Sequence, residues 1–177
     1  MKGRPAEAPG LLARLDALAR TAAPGLAAAG AMVVASTPVG WPSLVPAVGL
    51  AAVFFWSLYR PGAMPPAVAF GLGLLQDLLG FAPLGSGVLV LLLAHAGALR
   101  VRPVLAGRSF VLVWLGFAGL AGPAVGLGYG LQAVLGWQVP PTAPALAQLG
   151  LTVGLYPLLA WLMLLAHRGL RRAEALA

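Results

Sequence analysis

No cysteine occurs in the 177 residues. Disulfide staples, thiolate metal sites and cysteine nucleophiles are therefore excluded. Acid is nearly as scarce: two histidines and four carboxylates leave little material for a metal centre. No glycine-rich loop precedes a lysine, no Gly-x-Ser-x-Gly elbow appears, and no two carboxylates share a helix face. Catalysis finds no foothold, and the expectation is a non-enzyme without cofactor. Charge as a whole is sparse, at 8% of residues, where soluble domains carry about 25%.

What is present is apolar. Hydrophobic residues make up 60% of the chain and the mean hydropathy is +0.94, the profile of a chain whose solvent is lipid. The net charge of +7 raises the question of nucleic acid. A nucleic-acid binder gathers its basic residues on one polar surface with aromatics between them. Here they fall in short gaps between apolar runs, so no nucleic-acid partner is expected.

Six apolar runs are expected as transmembrane helices, over residues 21–39, 44–59, 67–79, 85–99, 109–135 and 144–166. The fold class is all-α and polytopic. A cytoplasmic segment, 1–20, precedes the six-helix domain, 21–167, and a cytoplasmic tail, 168–177, follows it. In the first segment Leu11, Leu15 and Leu18 recur at helical spacing, which suits a short interfacial helix; a disordered tail is the alternative. With the N-terminus in the cytoplasm, every basic residue falls on the cytoplasmic side: Lys2, Arg4, Arg14, Arg20, Arg60, Arg100, Arg102, Arg108, Arg168, Arg171 and Arg172. The outer loops around Trp41, Pro83 and Pro140 hold none, as the positive-inside rule requires. Five or seven helices would break this agreement. A cleaved signal peptide ending at Val33-Val34-Ala35 competes for the first run, but its polar head is long and its loss leaves an odd helix count. Trp41, Trp137 and Tyr59 fall at helix ends and read as interfacial anchors.

Asp77 is the only acid within an apolar run. An ionised carboxylate at the bilayer centre costs roughly 2.5–3.5 kcal/mol, so it faces protein or water. The third and fourth runs fall short of the ~20 residues that span a bilayer upright. The loop 83–87 between them is irregular by composition, and non-helical backbone at membrane depth needs protein cover or a wet cavity. Two readings follow. Gln76, Asp77, Pro83 and Gly85 border a pocket open to the outer side, or Asp77 pins the loop by accepting backbone hydrogen bonds. Gly122, Gly126 and Gly130 recur every fourth residue, as do Gly150 and Gly154; such spacing forms seams where helices approach closely, within the protein or against a partner. His95 and His167 read as interfacial or C-terminal-turn histidines. Pro123 and Pro157 are expected to kink their helices.

The segment Phe55-Trp56-Ser57-Leu58-Tyr59-Arg60-Pro61, followed by Gly71-Leu72-Gly73-Leu74-Leu75-Gln76-Asp77-Leu78-Leu79 and by Pro83-Leu84-Gly85, resembles the centre of the rod-shape-determining MreD family. Phe110 with Trp114, and Tyr156-Pro157, fit its later helices more loosely. The resemblance extends over about residues 41–168, and its specific motifs lie in the central third. It implies a scaffold of the bacterial elongation complex in the inner membrane. Such a scaffold binds MreC and helps couple MreB filaments to RodA and its penicillin-binding transpeptidase partner in peptidoglycan synthesis. Arg60, Arg102 and Arg108 are the expected cytoplasmic basic contacts, with acidic partner surfaces or with anionic lipid at roughly 1 kcal/mol per charge. The six-helix plan is also similar to the substrate-binding subunits of energy-coupling-factor vitamin transporters. On that alternative, Gln76, Asp77, Gln132 and Gln148 are the candidate ligand contacts, and Ala27, Ala31 and Ala35 the docking stripe.

Overall fold

A computed structural model describes the backbone over residues 11–36, 44–80 and 83–175, and the side chains over 22–36, 44–80 and 83–165. The expected anchor Trp41, the amphipathic face of Leu11, Leu15 and Leu18, and the side chains of His167, Arg168, Arg171 and Arg172 lie outside the described residues. Among these residues there are six α-helices, one short 3-10 turn and no strand. The helices are α1 (Leu11–Ala35), α2 (Leu44–Tyr59), α3 (Pro66–Leu79), α4 (Ser86–Leu105), α5 (Phe110–Gly136) and α6 (Thr142–Ala175), with the 3-10 turn over Pro61–Ala63.

The number and order of helices are those expected; three boundaries move substantially, and the largest shift at a C-terminal end is that of α6, expected to stop at 166 before a separate tail and instead helical through Arg168, Arg171 and Arg172 to Ala175. Residues 11–20 do not form a separate helix but continue into α1, which runs unbroken through Pro24. The fourth helix was expected to stop at 99, before the arginines, and instead runs to Leu105 through Pro103. Arg100 and Arg102 are exposed on its final turns, so their charge ends an apolar run without ending a helix. Of the six expected spans, three are long and apolar enough to cross a membrane: Ser86–Leu105, Phe110–Leu135 and Thr142–Leu165. The apolar helices Ala22–Ala35, Leu44–Tyr59 and Pro66–Leu79 are shorter. At 1.5 Å per residue, α2 reaches about 24 Å against a ~30 Å hydrocarbon layer.

The shortness of α2 goes with its position, for it touches all five other helices. Thirteen of its sixteen residues are buried. A helix apolar on every face belongs in the interior, and Ala47, Gly49, Ala51 and Ala52 let neighbouring backbones come close. One half of the bundle is locked by aromatics. Phe54 of α2 meets Phe117 of α5 edge-on at 5.3 Å and Tyr156 of α6 at 5.8 Å, while Phe117 and Tyr156 stack at 4.1 Å. The outward faces of α4, α5 and α6 expose Leu93, Val111, Leu115, Leu158, Trp161 and Leu162, an apolar exterior around an apolar core.

Proline in the last helix has a local remedy. Pro157 has no N–H, which leaves the carbonyl of Val153 without its helical donor. Trp114 of α5 supplies the missing bond, its Nε1–H donating to Val153 O at 3.0 Å. The helix continues through Pro157, and the same bond ties α5 to α6.

Candidate functional site

α2 and α4 finish at the same end of the bundle, because Arg102 Nε of α4 donates to the carbonyl of Leu58, in the last turn of α2, at 3.0 Å. That end gathers the four arginines whose side chains are described. Arg60 opens the 3-10 turn after α2, Arg100 and Arg102 close α4, and Arg108 sits in the α4–α5 connection. Arg108 and Arg102 are exposed and Arg60 is half-buried. The three expected basic contacts therefore share one face, although Arg102 already caps α2.

The opposite end holds Asp77. It is 3% exposed, and its two oxygens serve the start of α4. Gly85 N–H donates to Oδ2 at 2.8 Å and Gly87 N–H to Oδ1 at 2.7 Å, with Val88 N–H a longer 3.5 Å from Oδ2. Ser86 Oγ lies 3.5 Å from Oδ1, but its proton is better placed on Pro83 O at 2.7 Å. A helix start leaves its first N–H groups without intrahelical partners and carries partial positive charge. Asp77 is thus a cap for α4 supplied from α3. Gly85 completes the turn with φ +93°, a left-handed conformation that side chains other than glycine rarely accept. Of the two readings of Asp77, the geometry is that of the loop pin.

A cavity of about 1060 Å³ opens beside this cap, at the end of the bundle away from the arginines. All six helices contribute to its wall. Of the four residues expected at a pocket, Gln76 and Pro83 line it, whereas Asp77 and Gly85 do not. Gln132 and Gln148 line it as well, so three of the four candidate ligand contacts converge and the acid alone is set aside. Four polar residues of the wall escaped the sequence reading: Ser36, Gln138, Tyr129 and Thr152. Gln138 follows the end of α5, where helical periodicity gives no signal. Tyr129 Oη donates to Pro140 O at 2.8 Å and holds the α5–α6 connection over the cavity.

The glycine seams differ from expectation within the protein. A Cβ built on Gly122, Gly126, Gly130, Gly150 or Gly154 meets no atom within 4 Å, so no described helix packs on them. The closest crossing is between α3 and α4, where a Cβ on Gly73 would collide with Val88 Cα. His95 does not lie in the last turn of α4, which runs on to Leu105; it is buried, 4% exposed, with Nδ1 2.8 Å from Ser57 Oγ. Among the described residues no three of His, Cys, Asp and Glu gather into a group that could hold a metal ion. Comparison with protein-family models, with curated proteins and with solved structures returns no match for this chain.

Proposed function

We propose that this chain is a multi-pass adaptor of the bacterial cell-elongation complex, resembling MreD. On this reading all six helices cross the inner membrane, both termini are cytoplasmic, and MreC is the direct partner through which MreB, RodA and the penicillin-binding transpeptidase are linked. The observation that carries the reading is what the MreD-like residues do. Trp56 is buried in α2, Arg60-Pro61 makes the turn to α3, and Asp77 caps α4 across the loop that ends in Pro83-Leu84-Gly85. The motif is spent on holding a shape, which suits a scaffold better than a catalyst. The short helices α2 and α3 fit a bundle in which neighbouring protein and local thinning of the bilayer make up the missing length.

The arginines at one end and the uncharged cavity at the other support the orientation, with the cavity facing outward. An alkaline phosphatase fused after Pro83 is expected to be active, as enzymes folding outside the inner membrane are. An inactive fusion at that site, with an active one after Arg108, would reverse the topology.

The decisive experiment is purification of the tagged chain from its native membrane in mild detergent, with the co-eluting proteins identified by mass spectrometry. MreC and cell-wall synthases are expected. The cavity favours one other reading, the substrate-binding subunit of an energy-coupling-factor transporter; paired transporter ATPases in place of MreC would establish that reading and overturn the first.

A further inference from the structure

The chain has four glutamines and no asparagine, so Gln76, Gln132, Gln138 and Gln148 are all of its carboxamides. Every one of them lies in the wall of the cavity opposite the arginines. They come from α3, from α5, from the α5–α6 connection and from α6. A carboxamide facing hydrocarbon leaves two N–H donors and a carbonyl oxygen unpaired, so polar groups in a membrane bundle collect where something polar meets them. Four carboxamides from three helices and one connection meeting at one cavity are more than the helix packing requires. The packing is made by the aromatic cluster and by the Gly73 crossing instead.

The rest of the wall narrows the class of ligand. Among the described residues no Lys, Arg, His, Asp or Glu lines the cavity, and the carboxylate nearest to it, Asp77, is already engaged by the backbone N–H groups of Gly85 and Gly87. Thr152, which also lines it, is 1% exposed and its Oγ1 has no hydrogen-bond partner. Gln76 Oε1 is likewise buried without one. Val45, Leu50, Val90 and Leu91 make the remainder apolar. At about 1060 Å³ the space lies near the top of the ~300–1,000 Å³ range of small-molecule pockets.

We infer that this cavity is a binding site for an uncharged molecule carrying adjacent hydrogen-bond donors and acceptors, of the amide, imide or polyhydroxyl kind, with an apolar remainder. A carboxamide meets such an edge with a donor and an acceptor at once. The inference rests on the cavity wall alone and holds for the adaptor and the transporter readings alike. The same chemistry is offered by a water-soluble solute and by the head of a neutral lipid, and the mass of the bound species separates the two.

The test is to purify the chain from native membranes in mild detergent, extract the folded protein with organic solvent and quantify the released compounds by mass spectrometry. Gly128→Phe and Thr152→Val are treated in parallel. Gly128 lines the cavity, and a Cβ there meets only Val90 Cγ2 at 3.9 Å, so the phenyl group takes up cavity space. The wild type is expected to release about one equivalent of a neutral compound. Titrated with the compound the wild type releases, Thr152→Val, nearly isosteric, is expected to bind about fivefold more weakly, the effect of one neutral hydrogen bond, and Gly128→Phe at least about tenfold more weakly. Thr152→Val keeps the test decisive should the phenyl variant fail to fold. Equal affinity of wild type and Thr152→Val for that compound, release of a charged compound instead, or no stoichiometric compound at all would overturn the inference. MreC in the same eluates reports on the adaptor reading independently.

Discussion

Replacing Asp77 with alanine lowers the stability of the purified protein by about 3–4 kcal/mol, or roughly 6–16 °C in melting temperature for a chain of this size. Two short bonds carry the effect, from Gly85 N–H at 2.8 Å and Gly87 N–H at 2.7 Å. Each buried N–H donor left unmet when its acceptor is removed costs about 1–3 kcal/mol, and two such donors give the total. Alanine removes both acceptors, and no side chain on α4 replaces them: its own N-cap, Gly85, makes no side-chain bond. Asp77→Asn retains one carbonyl oxygen and turns an amine toward the other N–H, so about half of that loss is expected. The measurement is thermal unfolding followed by gel filtration in detergent, with MreC retention scored below the transition. A loss of MreC binding by Asp77→Asn at unchanged melting temperature would make Asp77 a partner contact. Unchanged melting temperature in Asp77→Ala would remove its role as the cap.

The sequence carried more of the fold than of the site. Apolar run length and arginine placement gave the number of helices and the limits of α2, because both follow from the cost of moving backbone and charge into lipid. The same signal misplaced the end of α4. Arginines mark where a helix leaves hydrocarbon, while the backbone hydrogen bonds of that helix run on to Leu105. Asp77 could be recognised as a constrained acid because it is alone in an apolar run; that its partners are Gly85 and Gly87 depends on how α3 and α4 cross. The cavity was half legible. Gln76, Gln132 and Gln148 stand out by polarity, but their convergence is a property of the bundle, and Gln138 and Thr152 have no pattern that separates them from their neighbours. An end of the fourth helix at 99 puts His95 near its last turn, whereas the helix runs on to Leu105. The burial of His95 against Ser57 depends on α2 being central, which only the packing reveals.

The glycines show how far periodicity can mislead, and they set the second large effect. Gly122, Gly126 and Gly130 have the regular spacing, yet a Cβ on any of them meets open space. Gly73 belongs to no regular series, yet a Cβ there would collide with Val88 Cα and stand 2.8 Å from Val88 N and 3.0 Å from Gly87 O. Those atoms are backbone at the start of α4, so no side-chain rotation relieves the clash and the two helices must part. Overpacking of this kind costs about 1–3 kcal/mol and more where the obstacle is rigid; for Gly73→Ala we expect about 3 kcal/mol, and for Gly73→Leu no folded protein. Gly73 and Asp77 are four residues apart and share a face of α3. Parting the helices therefore also stretches the Gly85 and Gly87 bonds, and Asp77→Ala should cost much less in the Gly73→Ala background than alone, a coupling that a double-mutant cycle measures. Gly126→Ala is the counterpart. It should leave melting unchanged or raise it by up to about 1 kcal/mol through helix propensity. If Gly126→Ala destabilises as much as Gly73→Ala, the seam is packed within the protein after all. If it leaves melting intact but removes MreC from the eluate, the exposed glycines of α5 are where the partner helix lies.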